Sequence, residues 1–274
     1  MINKRPVIGV FDSGVGGLTV LRALRDQLPT VDFIYLGDTA RVPYGTKTVA
    51  SVTTYALQAT RALLKRHVDY VVVACNTAAS AALPRLQQEF SQTPIVGVIE
   101  PGARAACAAS QTGRIGVIAT ESTIQAGAYT QMIKSFWPEA EVKSQACQLL
   151  VALAEEGWTE GPLVQEIVNH IIQPLKVNHG HEIDCLVLGC THFPPFAQLI
   201  QNSVGSNITL VDSASTTAKL VAQQLKEQGL LSADDPTPGR EVFLATDGRE
   251  RFARVGSRFW HRAIEPQEIE IIDF

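Results

Sequence analysis

The chain has 274 residues, of which 46% are apolar and 18% charged, a composition typical of packed globular domains. This length is typical of two domains of ordinary size. The net charge of −4 lacks the basic footprint of a protein that binds nucleic acid. No apolar run approaches the ~18 residues of a membrane span, and the run before Asp12 is too short for a signal peptide. We therefore expect a cytoplasmic protein with neither nucleic acid nor membrane as its partner.

Short apolar segments alternate with longer segments in which apolar residues recur at helical spacing. The predicted strands are, in chain order, 7–11, 32–36, 70–74, 95–99, 114–119, 185–189 and 208–212. The clearest predicted helices are 18–28, 48–66, 162–176 and 250–260, and the arginines of the last one are interpreted as a solvated face. The composition of 234–241 predicts an exposed loop or linker. The alternation predicts an α/β fold with mainly parallel sheets, in which ligands bind at the carboxyl ends of the strands.

An internal repetition divides the chain. In VDYVVVACNT (68–77) and EIDCLVLGCTH (182–192), an aspartate lies six positions before a cysteine and a threonine follows closely. Two further pairs repeat in the same order, VIGVFDS with RIGVIATES and VGVIEPG with TLVDSA. The sequence therefore predicts two related α/β halves.

Two of the five cysteines, Cys75 and Cys190, stand where a predicted strand opens onto a helix. The unpaired N–H groups of a helix N-terminus stabilise a negative charge, so a thiol there can have its pKa lowered from ~8.5. If the halves face each other, the two thiols become bases on opposite sides of one carbon, as inversion of a stereocentre requires. The odd count does not favour a disulfide framework, and we interpret Cys107, Cys147 and Cys185 as core residues.

Polar residues follow the other strands. After the first strand, Asp12 is interpreted either as a group that tunes or relays protons or as a helix cap, and Ser13 as a substrate contact or a cap. The loop 36–48 contains a turn whose backbone could bind a carboxylate, formed by Pro43, Tyr44 and Gly45. Further hydrogen-bond donors near predicted strand ends are Asn76, Thr77, Thr120, Thr123 and Thr191.

His192 adjoins Cys190 and, as a neighbouring base or cation, could shift the pKa of that thiol. Zinc bound by His192 and the two cysteines is the alternative. It is not favoured, because the sequence has no C-x2-C unit and no evident fourth ligand.

Six ordered motifs carry a resemblance to a known family. FDSGVGGLTVLR, LGDTARVPYGTKT, ACNTAAS, GVIEPG, AEEGW and LGCTHFP resemble the motifs of glutamate racemases, and the resemblance runs from about Val7 to the C-terminal helix. It implies interconversion of L- and D-glutamate without cofactor or metal, supply of D-glutamate for peptidoglycan, and a homodimer. It also implies two pseudo-symmetric α/β domains, 1–97 plus 210–274 and 98–209, with the active site in the cleft between them.

The resemblance also assigns roles to residues. It makes Cys75 and Cys190 the two bases, with Cys75 acting on D-glutamate, and it makes Asp12 and His192 assisting residues. A glutamate of the AEEG segment assists in some members, and we choose Glu155 over Glu156. The substrate contacts implied by the resemblance are Ser13, Tyr44, Gly45, Asn76, Thr77, Thr120 and Thr191. The interpretation of individual residues adds Asp12, Pro43, Thr123 and His192.

Departures from the family pattern are small: Ala119 replaces a common glycine, and Ala152 and Ala154 stand where proline and valine are frequent. Three alternatives stay open. Aspartate racemases usually carry a glutamate where this chain has His192. A Cys-His-Asp hydrolase leaves the second thiol unexplained. A two-lobed binding protein does not explain paired thiols.

Overall fold

The computed structural model describes residues 5–176, 182–231 and 237–274. The strands are β1 (Val7–Asp12), β2 (Asp32–Gly37), β3 (Tyr70–Val73), β4 (Ile95–Gly97), β5 (Arg114–Ala119), β6 (Glu141–Ala146), β7 (Cys185–Gly189), β8 (Thr209–Asp212), β9 (Glu241–Ala245) and β10 (Ile269–Ile271). The α-helices are α1 (Leu18–Gln27), α2 (Val49–Leu64), α3 (Asn76–Glu89), α4 (Ile99–Ala109), α5 (Glu121–Ala126), α6 (Ala128–Phe136), α7 (Gln148–Glu156), α8 (Pro162–Lys176), α9 (Ala197–Val204), α10 (Ser213–Glu227) and α11 (Arg249–Trp260).

The strands form two sheets in which every neighbouring pair is parallel. The first sheet has the order β10-β9-β2-β1-β3-β4 and the second has the order β6-β5-β7-β8. The predicted α/β fold with mainly parallel sheets is confirmed. We call β1 to β4, β9, β10 and the helices packed on them the first half, and β5 to β8 with their helices the second half.

The two halves share one topology. Strands β2-β1-β3-β4 and β6-β5-β7-β8 follow each other in the same order, which is the physical basis of the repeated motifs. The central strands β3 and β7 are buried along their whole length, as expected of parallel strands covered on both faces. Each apolar run therefore ends at an equivalent place, directly before Cys75 in the first half and directly before Cys190 in the second.

The repeated aspartates fasten the start of the central strands. Asp69 Oδ2 accepts a hydrogen bond of 2.9 Å from the backbone N–H of Val7, at the start of β1. Asp184 Oδ2 accepts two hydrogen bonds, each of 2.8 Å, from the N–H groups of Gln111 and Thr112, just before β5. The aspartate six positions before each cysteine therefore has a structural role at the end of the sheet opposite the thiols.

Some predicted boundaries need correction. The predicted strand 95–99 is too long, because β4 ends at Gly97 and α4 begins at Ile99. Strands β6, β9 and β10 were not predicted. Of the predicted linker 234–241, residues 234–236 lie outside the described residues and Glu241 begins β9.

The predicted domain division falls between β4 and α4 at one crossing and inside β8 at the other; β8 pairs with β7 in the second sheet. The division stays a prediction. Of the helices in the described ranges, none has both the length and the apolar character that a bilayer span demands.

We predict that Asp184→Asn lowers the free energy of unfolding at pH 7 by about 1–2 kcal/mol, because a hydrogen bond to a charged group contributes about 1.5–3 kcal/mol and Asp184 is partly exposed to screening solvent. Burial raises the pKa of Asp184, but the hydrogen bonds from Ser110 and from two backbone N–H groups outweigh it and hold the pKa below its ordinary value. The stabilisation is therefore present above the unfolded-state pKa and is lost as the pH falls through the lower folded-state pKa. Urea denaturation at several pH values measures it.

The control for this prediction is Asp26→Asn at an exposed position of α1, which should change stability by less than about 0.5 kcal/mol. An Asp184→Asn protein as stable as the wild type at pH 7 would contradict the structural role. A stability difference between the wild type and Asp184→Asn that grows as the pH falls would also contradict it.

Candidate active site

The two cysteines of the repeated motif lie at the carboxyl ends of the equivalent strands β3 and β7. Cys75 is the N-cap of α3, and its Sγ accepts a hydrogen bond of 3.4 Å from the N–H of Ala78. Cys190 follows β7 directly, but a turn and a short 3-10 helix (Pro194–Phe196) separate it from α9. Both residues are buried, with exposures of 5% and 6%. The predicted helix N-terminus is therefore present at Cys75 and not at Cys190.

One cavity brings the two thiols together. It is lined by residues of both halves, and its empty space, counted together with its opening to solvent, is about 420 Å³. The predicted site residues that line it are Ser13, Pro43, Tyr44, Gly45, Cys75, Asn76, Thr77, Thr120, Glu155, Cys190, Thr191 and His192. Two predicted residues, Asp12 and Thr123, are not part of its wall but lie directly beside residues that are.

The surroundings of Cys75 disfavour its thiolate. Burial and the charge of Asp12 raise the pKa of Cys75 to about 12, although hydrogen bonds with Ala78 and Ser13 act in the opposite direction. The Sγ atom lies 3.6 Å from Ser13 Oγ. The helix N-terminus does act to lower this pKa through the Ala78 N–H, but the desolvation of a buried thiolate outweighs it, so the expected net lowering is wrong.

Asp12 is fully buried beside this thiol. Its Oδ2 accepts a hydrogen bond of 3.0 Å from the N–H of Gly14, whereas Oδ1 has no hydrogen-bond partner among the described residues. Burial raises the pKa of Asp12, opposed by the charge of His192 and by backbone N–H groups. Buried carboxylate oxygens without a partner are rare in folded proteins, so Asp12 is better explained as a functional group than as a simple cap.

His192 links Cys190 to Glu155. Its Nδ1 lies 3.9 Å from Cys190 Sγ and its Nε2 lies 3.3 Å from Glu155 Oε1. Burial lowers the pKa of His192, but hydrogen bonds with Cys190 and Glu155 outweigh it and raise the pKa to about 10. The hydrogen bond with His192 is also the main reason that the pKa of Glu155 falls to about 2. At neutral pH the second thiol therefore has a cation beside it.

Glu156 is placed differently. Its side chain is 62% exposed and contacts Arg251 at 3.7 Å, and it does not line the cavity. The geometry thus separates the two glutamates of the AEEG segment.

Hydroxyl and amide groups join the halves on the other side of the cavity. The hydroxyl oxygens of Thr77, Thr120 and Thr123 lie within 2.9–3.3 Å of one another. The Tyr129 hydroxyl donates a hydrogen bond of 2.7 Å to Asn76 Oδ1, and Asn76 Nδ2 has no partner among the described residues. Two residues at the start of α3 are therefore held by the second half.

Three cavity residues were not predicted: Val42, Gln148 and Val151. Gln148 begins α7 immediately after β6, and its Oε1 is buried without a partner among the described residues. Because β6 was not predicted as a strand, Gln148 was not recognised as a residue near the carboxyl end of a strand. The polar start of the segment QLLVALAEEG was the available signal.

The arginines of α11 were interpreted as a solvated face, and all of them are exposed, but two of them also contact Glu155. Arg251 Nη2 lies 2.8 Å from Glu155 Oε2, and Arg258 Nη1 donates a hydrogen bond of 3.3 Å to the backbone carbonyl of Glu155. These two arginines, which belong to the first half, thus contact Glu155, which lies beside the catalytic candidates of the second half.

Comparison with known proteins identifies the family. A family model described as Asp/Glu/Hydantoin racemase matches residues 8–221. The chain belongs to this family. A glutamate racemase of Geobacter metallireducens is 48% identical over 252 residues, which cover 92% of each chain. One of Neisseria meningitidis serogroup B is 43% identical over 98% of this chain and 97% of the relative. The chain is therefore an enzyme, an amino-acid racemase.

Solved structures agree with this assignment. A glutamate racemase of Bacillus anthracis superposes with a TM-score of 0.92 at 36% identity and 98% coverage of both chains. The Francisella tularensis glutamate racemase in complex with D-glutamate superposes with a TM-score of 0.88 at 33% identity, over 99% of this chain and 98% of that one.

We predict that Gly16→Ala lowers racemase activity by about 100-fold, the effect of small displacements in an active site. A Cβ at this position would lie 2.4 Å from His192 Nδ1 and 2.6 Å from Thr191 Oγ1, so the buried ring would have to move. Loss of optical rotation of the substrate measures the activity, and thermal unfolding shows whether the fold is retained.

Gly14→Ala in the same loop is the matched control, because its Cβ would approach only Val42 Cγ1, at 3.1 Å. Full activity of Gly16→Ala would show that the position of the His192 ring does not matter.

Proposed function

We propose that this racemase interconverts L- and D-glutamate by proton transfer between Cα and two cysteines, Cys75 and Cys190. The observation that carries the proposal is the single cavity lined by both thiols, each from the equivalent strand end of a different half. The curated relatives at 42–48% identity, all named glutamate racemases, support glutamate as the substrate.

The proposed reaction uses one thiolate and one thiol. The thiolate takes the Cα proton, leaving its electron pair on the substrate, and the opposite thiol donates a proton to the other face of the carbon. Cys75 acts on D-glutamate and Cys190 on L-glutamate. Each turnover therefore exchanges the protonation states of the two sulfurs and inverts the carbon, and no atom is lost.

The groups beside the thiols differ in charge. We propose that the imidazolium of His192 stabilises the thiolate of Cys190, while Glu155 holds the ring in place. On the other side, Asp12 assists Cys75. Because burial raises the pKa of this thiol, its thiolate needs a cation nearby, and the ammonium group of glutamate supplies one when it binds.

The substrate carboxylates need hydrogen-bond donors inside the cavity. Asn76 Nδ2 is buried without a partner among the described residues, and charge-assisted hydrogen bonds to carboxylates are the stronger ones. We propose that the α-carboxylate and γ-carboxylate bind to donors on both sides of the cavity, in line with the predicted contacts: Ser13, Tyr44, Gly45, Asn76, Thr77, Thr120 and Thr191, with Pro43 shaping the turn and Thr123 supporting the threonines.

We further propose that catalysis requires neither cofactor nor metal. Within the described ranges, no group of three or more His, Cys, Asp or Glu side chains is arranged to hold a metal ion. Full activity after exhaustive dialysis against a chelator is the expected result. Positioning and electrostatics must then lower the barrier, since in this mechanism no cofactor delocalises the carbanion.

The wider role follows from the resemblance. We propose that the enzyme works in the cytoplasm as a homodimer, with domains 1–97 plus 210–274 and 98–209, and supplies D-glutamate for peptidoglycan. Growth of a bacterial D-glutamate auxotroph that expresses this chain tests the role, and sedimentation equilibrium tests the dimer.

We predict that Cys75→Ser and Cys190→Ser each lower racemisation of glutamate by about 10³-fold, within the range for a lost general base. Each variant should still eliminate HCl from one enantiomer of 3-chloroglutamate, because elimination needs one base. The base takes the Cα proton, chloride leaves with its electron pair, and the resulting enamine hydrolyses to 2-oxoglutarate and ammonium. Cys75→Ser should act on the L-analogue and Cys190→Ser on the D-analogue.

Wild-type protein should exchange the Cα proton of L-glutamate for deuterium in D₂O with loss of optical rotation, and it should act poorly on L-aspartate. Cys107→Ser is the control, because this thiol lies outside the cavity. If both cysteine variants process both chloroglutamate enantiomers equally, the two-base assignment fails.

A further inference from the structure

Arg251 shares one carboxylate with the catalytic candidate His192. Its Nη2 lies 2.8 Å from Glu155 Oε2, while the other oxygen, Oε1, lies 3.3 Å from His192 Nε2. Each oxygen of Glu155 therefore contacts a different basic side chain, which restrains the carboxylate plane. The contact has a consequence for Cys190, because His192 is the residue that faces this thiol.

The position of Glu155 in its helix makes this partner necessary. Glu155 and Glu156 are the last two residues of α7, where the helix dipole disfavours negative charge. Like charges at adjacent positions add to the cost. Arg251 lies within ion-pair distance of both carboxylates, so its positive charge offsets both negative charges at this helix end.

The end of α7 is shaped to accept arginines from the first half. Gly157 ends the helix with a φ of +79°, in the left-handed region that favours glycine. A Cβ there would lie 2.3 Å from Arg258 Nη1, and the same guanidinium donates a hydrogen bond to the Glu155 carbonyl. Two side chains about two turns apart on α11, Arg251 and Arg258, therefore contact this single helix end.

We propose that Arg251 is a positioning residue that holds Glu155 against His192 only when the two halves are together. The inference rests on the proposed function, in which His192 serves Cys190 and Asp12 serves Cys75. Since α11 packs with the first half and α7 belongs to the second, the Arg251–Glu155 contact crosses the cleft. Closure of the cleft thus completes the Cys190 side of the site.

The first test uses directional chemistry. In Arg251→Gln, elimination from L-3-chloroglutamate, which needs Cys190, should fall about fivefold, as expected for the loss of a half-exposed ion pair. Elimination from the D-enantiomer, which needs Cys75, should stay within about twofold. Arg251→Lys keeps the charge and should recover most of the loss. Arg254→Gln removes an exposed arginine of the same helix and should match the wild type.

A second test does not depend on turnover. Titration of the His192 imidazole by ¹⁵N NMR should show a midpoint about one pH unit lower in Arg251→Gln than in the wild type, because His192 loses the placed carboxylate. A purely electrostatic role of Arg251 gives the opposite sign, since removing a cation raises the pKa of a neighbouring histidine.

The outcomes are distinct. Equal losses with both enantiomers, no loss with either, or an unchanged or raised His192 midpoint would each overturn the positioning role. If wild-type protein neither racemises glutamate nor eliminates chloride, the proposed function fails, and the His192 titration alone then decides the contact.

Discussion

Desolvation of negative charge is the constraint on which the site depends. The cavity places two thiols and the carboxylate of Asp12 away from water, and burial raises the pKa of both Cys75 and Asp12. A helix N-terminus contributes about 0.3–1 kcal/mol, which is less than one pKa unit of about 1.4 kcal/mol. It therefore does not offset the desolvation that leaves the Cys75 pKa at about 12. In the proposed mechanism, a thiolate in this cleft relies on a nearby cation, which is His192 for Cys190 and the bound substrate for Cys75.

The halves meet this constraint in different ways, although their topology is the same. The register of β1 with β3 and of β5 with β7 makes Ala119 the counterpart of Asp12. Counting from the two cysteines makes His192 the counterpart of Thr77. One thiol thus has a carboxyl group beside it and the other has an imidazole ring. In the proposed mechanism, the duplicated fold places the two thiols on opposite sides of the substrate carbon, whereas single substitutions give each thiol its own electrostatic surroundings.

The sequence predicted the structure well where burial leaves a pattern of apolar residues. The central strands are continuous apolar runs because helices cover both faces, and the residues after them form the predicted site. β6 escaped prediction because it is an edge strand with exposed polar residues, and Gln148 was missed with it. The pKa of Cys75 depends on competing energies, and the partner of Arg251 depends on how the halves dock. Neither the pKa of Cys75 nor the contact of Arg251 can be read from a local sequence motif.

Several contacts across the cleft are polar and can be broken repeatedly, although the His192 ring also packs edge-on against Phe259, with ring centroids 5.2 Å apart. The threonine hydroxyls, the hydrogen bond from Thr19 Oγ1 to the Thr191 carbonyl at 3.1 Å, and the hydrogen bond from Ser122 Oγ to the Gly45 carbonyl at 2.7 Å are all polar. Each contributes only about 0.5–1.5 kcal/mol, because water replaces the partner on opening. A buried site for a charged amino acid needs such an arrangement, since an apolar seam would hold the cleft shut. Polar contacts instead fix the closed geometry while leaving the cost of opening small.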